Sequence, residues 1–143
     1  MHNLLFDIED KPVSDISGLQ YVSAFITGDE EQALIEAIDG QSWLNDLKRR
    51  VQHYGYKYDY KARAVTADSY LGPLPDWLMP TAQNLPFKPD QAIVNEYLPG
   101  QGISAHVDCV PCFADSIASL SLGSGAVMQF VNGQKKHDLY LEP

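Results

Sequence analysis

The stretch IVNEYLPGQGISAHVD, residues 93–108, decides how the rest of the chain is read. It starts as a short alternating run from Ile93 to Tyr97, passes through a turn with Pro99, Gly100 and Gly102, and ends with His106 two residues before Asp108. On a strand, residues two apart point to the same side. Asn95 and Tyr97 then share one face, and His106 and Asp108 share another. Two polar pairs can therefore line one pocket.

An imidazole and a carboxylate in HxD spacing can hold a divalent metal from one strand end, leaving positions open for a second histidine and for substrate. Two histidines and one carboxylate on one side of a metal are the usual ligand set of non-haem iron(II) oxygenases. The tripeptide alone also fits a surface histidine near a surface aspartate, in a chain with four His and nineteen Asp and Glu residues.

Composition bounds the alternatives. A chain of 143 residues with 45% hydrophobic content can bury one modest core, so one domain is expected. No apolar run approaches membrane-spanning length, and MHNLLFDIEDK carries acids where a secretion signal carries positive charge. The expectation is a cytoplasmic monomer (or nuclear, in a eukaryote) without a membrane partner. Cys109 and Cys112 are too few for a disulfide framework or a four-cysteine zinc site. A net charge of −9 argues against nucleic-acid binding through the overall field, so any such contact has to come from a local patch.

From the N-terminus, residues Met1 to Gly18 read as a loosely docked arm, and LQYVSAFI (residues 19–26) as a first strand. Thr27 stands three before Glu30, a capping-box spacing. Leu34, Ile35 and Ile38 follow at helical intervals before Gly40 supplies a stop. Further on, Pro75 and Asp76 can start a short helix through Trp77 to Leu85, with Trp77, Leu78 and Leu85 as its buried side.

KRRVQHYGYKYDYKAR (residues 48–63) departs from the chain's average, holding six of the ten Lys and Arg residues, with Asp59 as its only acid. Tyr54, Tyr56, Tyr58 and Tyr60 recur at period two and would form one aromatic stripe on a strand. Basic groups among aromatic faces can hold a phosphate backbone while stacking unpaired bases. The same pattern also fits tyrosines packed on a sheet with solvated charges outside. His53, inside this segment, reads as a lid or surface residue and not a ligand.

After Asp108 the chain is predicted to be mostly strand. IASLSL (residues 117–122) alternates, AVMQFV (126–131) returns, Asn132 and Gly133 mark a tight hairpin turn, and Lys135 to Leu141 is the partner. Several antiparallel strands after a metal-ligand strand suit a jelly roll.

The full pattern NxYxPGxGIxxHxD, followed by SLSLGS (residues 119–124), resembles the AlkB family of iron(II) and 2-oxoglutarate dioxygenases. The resemblance runs from about Arg50 to the end. It implies a mainly β (α+β) fold: a double-stranded β-helix, or jelly roll, with N-terminal helices packed on one sheet. It also implies iron(II) held by His106 and Asp108, and 2-oxoglutarate receiving hydrogen bonds from Asn95 and Tyr97. The implied activity is oxidative dealkylation or hydroxylation of nucleic acid bases with dioxygen, in DNA or RNA repair or RNA modification. Arg50, Gln52, Tyr54 and Tyr56 resemble the substrate-recognition lid of such enzymes, so residues 48–63 are the expected substrate-gripping hairpin and the route to a nucleic-acid partner. Val110 stands where some base-repair members carry a second acid, which argues against a classical DNA-repair role and leaves RNA modification or another substrate open.

The family's third metal ligand is a histidine several strands after HxD, followed by arginines that pair with 2-oxoglutarate. Here His137 is the only histidine after Asp108, just past the hairpin turn where solvent exposure is expected, and no arginine follows Arg63. Lys135 and Lys136 lack the planar fork for bidentate carboxylate pairing. The expectation is therefore a dioxygenase domain without its C-terminal strands, weak in iron binding and turnover by itself. The alternative is a non-catalytic jelly-roll module or remnant.

Overall fold

A computed structural model describes residues 16–45, 47–104, 106 and 116–143. The arm up to residue 15, Asp108, Cys109, Val110 and Cys112 lie outside the described residues. Element order is α1 (Gly28–Asp39), β1 (Arg50–Tyr54), a 3-10 turn (Ala67–Ser69), α2 (Met79–Ala82), β2 (Ala92–Glu96), β3 (Ala126–Asn132) and β4 (Lys135–Leu141). Four strands against one full helix make the chain β-rich. The chain divides into two compact units, Ala37–Ala118 and the described residues up to Glu36 with Ser119–Pro143.

Helix α1 starts where the capping box places it. The Thr27 N–H donates to Glu30 Oε1 at 2.9 Å and the Glu30 N–H returns a bond to Thr27 Oγ1 at 3.1 Å. Asp29, Glu30 and Glu31 add negative charge at the positive end of the helix dipole. Leu34 and Ile38 are its buried positions. The expected strand over residues 19–26 is absent. Only Gln20 makes a β-bridge there, the chain turns at residues 23–24, and Ala24 has φ 52°, a left-handed conformation that breaks an extended run.

In the Ala37–Ala118 unit, β1 and β2 pair antiparallel, with Arg50 opposite Glu96, Val51 opposite Asn95 and Tyr54 opposite Ala92. Leu44 bridges Val51 on the other edge of β1, its N–H donating to Val51 O at 2.8 Å. Val51 is thereby the most buried side chain described, at 1% exposure. The buried Gln52 donates from Nε2 to Ile38 O at 2.9 Å, a helix-end carbonyl that also accepts the Gln41 N–H at 3.0 Å.

Residues 48–63 do not form one hairpin carrying one tyrosine stripe. Strand β1 ends at Tyr54, and Gly55, at φ +79°, turns the chain out of the ladder. The excursion spans residues 55–71 instead, closed by Leu71 N–H to Gly55 O at 2.7 Å and Lys57 N–H to Ser69 O at 2.9 Å. The tyrosines are divided accordingly. Tyr54 meets Trp77 edge-on, Tyr56 meets Tyr70, and Tyr58 meets Tyr60. The helix expected through Trp77 to Leu85 is reduced to Met79–Ala82, with Ala82 its buried residue.

In the other unit, β3 and β4 form the expected hairpin, closed by Asn132 opposite Lys135. Gly133, the first of the two loop residues, has φ +62°, as a type II′ turn requires. His137 lies on β4 opposite Phe130 and is half-buried, not solvent-exposed as the sequence suggested. Residues 117–122 form no strand, because no ladder partner lies alongside them among the described residues. The jelly roll is accordingly not traced by the described strands, which form two separate two-stranded ladders. No described helix is long and apolar enough to cross a membrane.

Candidate functional site

The β1–β2 register builds the candidate site, because it places the two arginines that lead into β1 beside the end of β2. Arg50, directly opposite Glu96, donates from Nε and Nη2 to the two carboxylate oxygens at 2.7 Å each. Its guanidinium also lies 4.4 Å from the Trp43 ring centroid. The bidentate hydrogen bonding from Arg50 holds the Glu96 carboxyl below the usual range, and Glu96 in turn raises Arg50.

A lowered native pKa means that this pair stabilises the fold above the unfolded Glu value and stops doing so as pH falls through the native value. Glu96→Gln is thus expected to lower the urea midpoint at neutral pH, with the gap to wild type closing below about pH 4. A gap of equal size at acid pH would show that the charge is not responsible.

One residue earlier, Arg49 donates from Nε to Asn95 Oδ1 at 2.9 Å. Its guanidinium carbon lies 5.9 Å from the Tyr97 ring centroid and 5.8 Å from that of Tyr60. Asn95 and Tyr97, paired from the sequence as neighbours on one face, are thus joined through one cation. Burial pushes the Tyr60 phenol up, with the Arg49 charge acting against that. The Tyr60 hydroxyl has no hydrogen-bond partner among the described residues. The His53 ring lies tilted against Tyr60 with centroids 5.6 Å apart, and its Nδ1 accepts the Tyr58 N–H at 3.5 Å, which makes it part of the aromatic cluster.

Beyond β2 the chain turns at Gly100, with φ +85°. The Gln101 N–H donates to Leu98 O at 2.9 Å, and the Gln101 side chain accepts the Leu98 N–H at 2.8 Å and donates to Lys48 O at 3.5 Å. This turn is tied back to the residue before Arg49 and leads to the exposed His106. There Nδ1 lies 2.8 Å from Ser104 O. A carbonyl oxygen only accepts, so Nδ1 carries the proton and the lone pair of the neutral ring is on Nε2, the tautomer a metal ligand needs. His106 therefore fits a role as metal ligand. Among the described residues no three His, Cys, Asp or Glu side chains converge, and Asp108 lies outside them.

The four residues singled out for substrate have different surroundings. Arg50 is held by Glu96, and the buried Gln52 is held by Ile38 O while its Oε1 accepts the Tyr54 hydroxyl at 2.6 Å. Burial pushes the Tyr54 phenol up. Tyr56 is half-buried against the exposed Tyr70 at 5.2 Å. On the excursion, the Asp59 side chain accepts the Lys61 and Ala62 N–H groups at 2.9 and 3.0 Å, and the Ala62 bond leads in holding this carboxyl low. Lys57, Lys61 and Arg63 are exposed there. Sequence reasoning missed Arg49, Tyr60 and Trp43 as parts of this arrangement. Arg49 stood out only as one of several cations, and its position next to a strand-leading arginine was the available signal.

The 2OG-Fe(II) oxygenase superfamily matches residues 21–143, and the chain belongs to it. Within it the chain is of the AlkB family. It is 39% identical over 127 residues to an alkylated DNA repair protein ALKBH8 homolog of Arabidopsis thaliana, covering 81% of this chain and 37% of that one. It is 41% identical over 138 residues to the tRNA (carboxymethyluridine(34)-5-O)-methyltransferase ALKBH8 of Macaca fascicularis, covering 85% of this chain and 20% of that one. A third relative, the uncharacterized protein L905 of Acanthamoeba polyphaga mimivirus, is 32% identical over 142 residues, or 93% of this chain and 67% of its own. The chain thus spans well under half the length of the first two relatives.

Proposed function

We propose that this chain is the cosubstrate- and metal-binding part of an AlkB-type dioxygenase that acts on nucleic acid bases, with its strands belonging to one jelly-roll domain. The observation that carries the reading is the joining of Asn95, Tyr97 and a cation at the end of β2, followed by a histidine in the metal-ligand tautomer.

In this scheme His106 and Asp108 hold iron(II), with His106 offering Nε2, and Asn95 and Tyr97 donate hydrogen bonds to 2-oxoglutarate. Bound iron(II) supplies the activation of dioxygen coupled to oxidative decarboxylation of 2-oxoglutarate to succinate. The protein's own contribution is orientation and the exclusion of water. A base within a polymer must leave its stack to reach such a site. The gripping surface falls on the 55–71 excursion, where Lys57, Lys61 and Arg63 meet phosphates beside the Tyr56 and Tyr70 rings. Arg50, Gln52 and Tyr54 support that excursion from β1. The tRNA-directed name of the macaque relative makes RNA the preferred polymer. Cytoplasm or nucleus is the compartment that substrate requires.

The test is succinate formation by the full-length protein supplied with iron(II), 2-oxoglutarate and single-stranded RNA bearing alkylated uridines or adenines. Turnover stimulated by RNA is expected. Failure of the full-length protein to oxidise 2-oxoglutarate with or without RNA would reject the reading in favour of a non-catalytic module.

A further inference from the structure

The cation beside Asn95 has a task of its own. Arg50 and Arg49 are adjacent in sequence, yet only Arg50 has a carboxylate partner among the described residues. Arg49 is half-buried next to an amide and two phenols, in a chain whose net charge is −9. A dianionic keto acid approaching such a protein is repelled by the overall field and needs a local positive charge where it lands.

The bond to Asn95 also settles which end of that amide is available. A guanidinium Nε–H can only donate, so the atom 2.9 Å from it is the amide oxygen as a matter of chemistry and not of assignment. With Oδ1 engaged, the N–H2 group is what Asn95 presents to a ligand. An amide free to flip would offer its oxygen to a carboxylate part of the time, and that encounter is repulsive. The Tyr60 and Tyr97 rings lie 5.8 and 5.9 Å from the guanidinium carbon and add cation–π attraction to the hydrogen bond that holds it at Asn95.

We propose that Arg49 is a positioning residue of the 2-oxoglutarate site, fixing Asn95 as a hydrogen-bond donor and placing a permanent positive charge beside the cosubstrate carboxylate. This rests on the function proposed above, and the test separates the two. The full-length protein is loaded with zinc(II), which supports no turnover, and titrated with 2-oxoglutarate by calorimetry while the Asn95 side-chain N–H2 resonances are followed by NMR.

Arg49→Gln is expected to weaken 2-oxoglutarate binding about tenfold or more, with zinc affinity unchanged and the Asn95 resonances moved to the position of a solvated amide. Arg49→Lys is expected to recover part of the affinity, to about threefold below wild type, because it keeps the charge and lacks the fork. Binding by Arg49→Gln within about twofold of wild type, or unmoved Asn95 resonances, would overturn the proposal. Should Arg49→Gln fail to fold, Arg49→Lys decides, since wild-type affinity there would show that the planar group fixes nothing. Loss of binding in Asn95→Ala with normal binding in Arg49→Gln rejects only the role of Arg49. Normal binding in Asn95→Ala rejects the keto-acid site itself.

Discussion

Replacing His106 or Asp108 by Ala is expected to reduce 2-oxoglutarate oxidation by the full-length protein to below about one part in a thousand of wild type. Each residue would supply one bond to the metal, and a site short of a ligand loses both affinity for the ion and the open geometry its chemistry uses. The His106 ring is exposed, and its Nδ1–H donates to Ser104 O, so trimming it removes little buried surface. The thermal midpoint of His106→Ala is therefore expected to stay near wild type in metal-free buffer while succinate formation disappears. Activity that persists in both variants would place the metal elsewhere.

Gly55→Ala is expected to cost about 3 kcal/mol or more of folding stability, read as a shift of the urea midpoint. Gly55 is buried at φ +79°, and a Cβ built there would run into the Asp90 carbonyl oxygen, a backbone atom with no freedom to withdraw. The substitution thus combines left-handed strain with a steric clash at the point where β1 gives way to the 55–71 excursion. A destabilisation under about 1 kcal/mol would mean that the approach of residues 55 and 90 is looser than described.

The contrast between these two positions separates what could be read in advance from what could not. As candidates, His106 and Asp108 could be singled out because HxD spacing, a glycine turn and a preceding NxY form one contiguous pattern. Gly55 stood in plain sight between tyrosines, but period-two spacing suggested that the strand continued through it. The residue's left-handed φ ended β1 and divided the four tyrosines among Trp77, Tyr70 and one another. A similar limit applies to residues 117–122, where alternation predicted a strand. Alternation gives the face each side chain would take and says nothing about whether a neighbouring strand is there to bond.

By itself, the sequence determined those features whose causes lie within a few residues. The Thr27–Glu30 capping box starts α1, the Gly133 turn closes β3 on β4, and the extended run of β2 leads from Asn95 toward His106. Only the tertiary structure decided that Arg50 faces Glu96 and that Arg49 reaches Asn95, contacts between residues 46 apart in the chain. The physical reason is that strand register is a long-range choice. A slip of one residue between β1 and β2 would turn each side chain to the opposite face. Nothing local to KRRV shows which arginine would meet the carboxylate and which the amide.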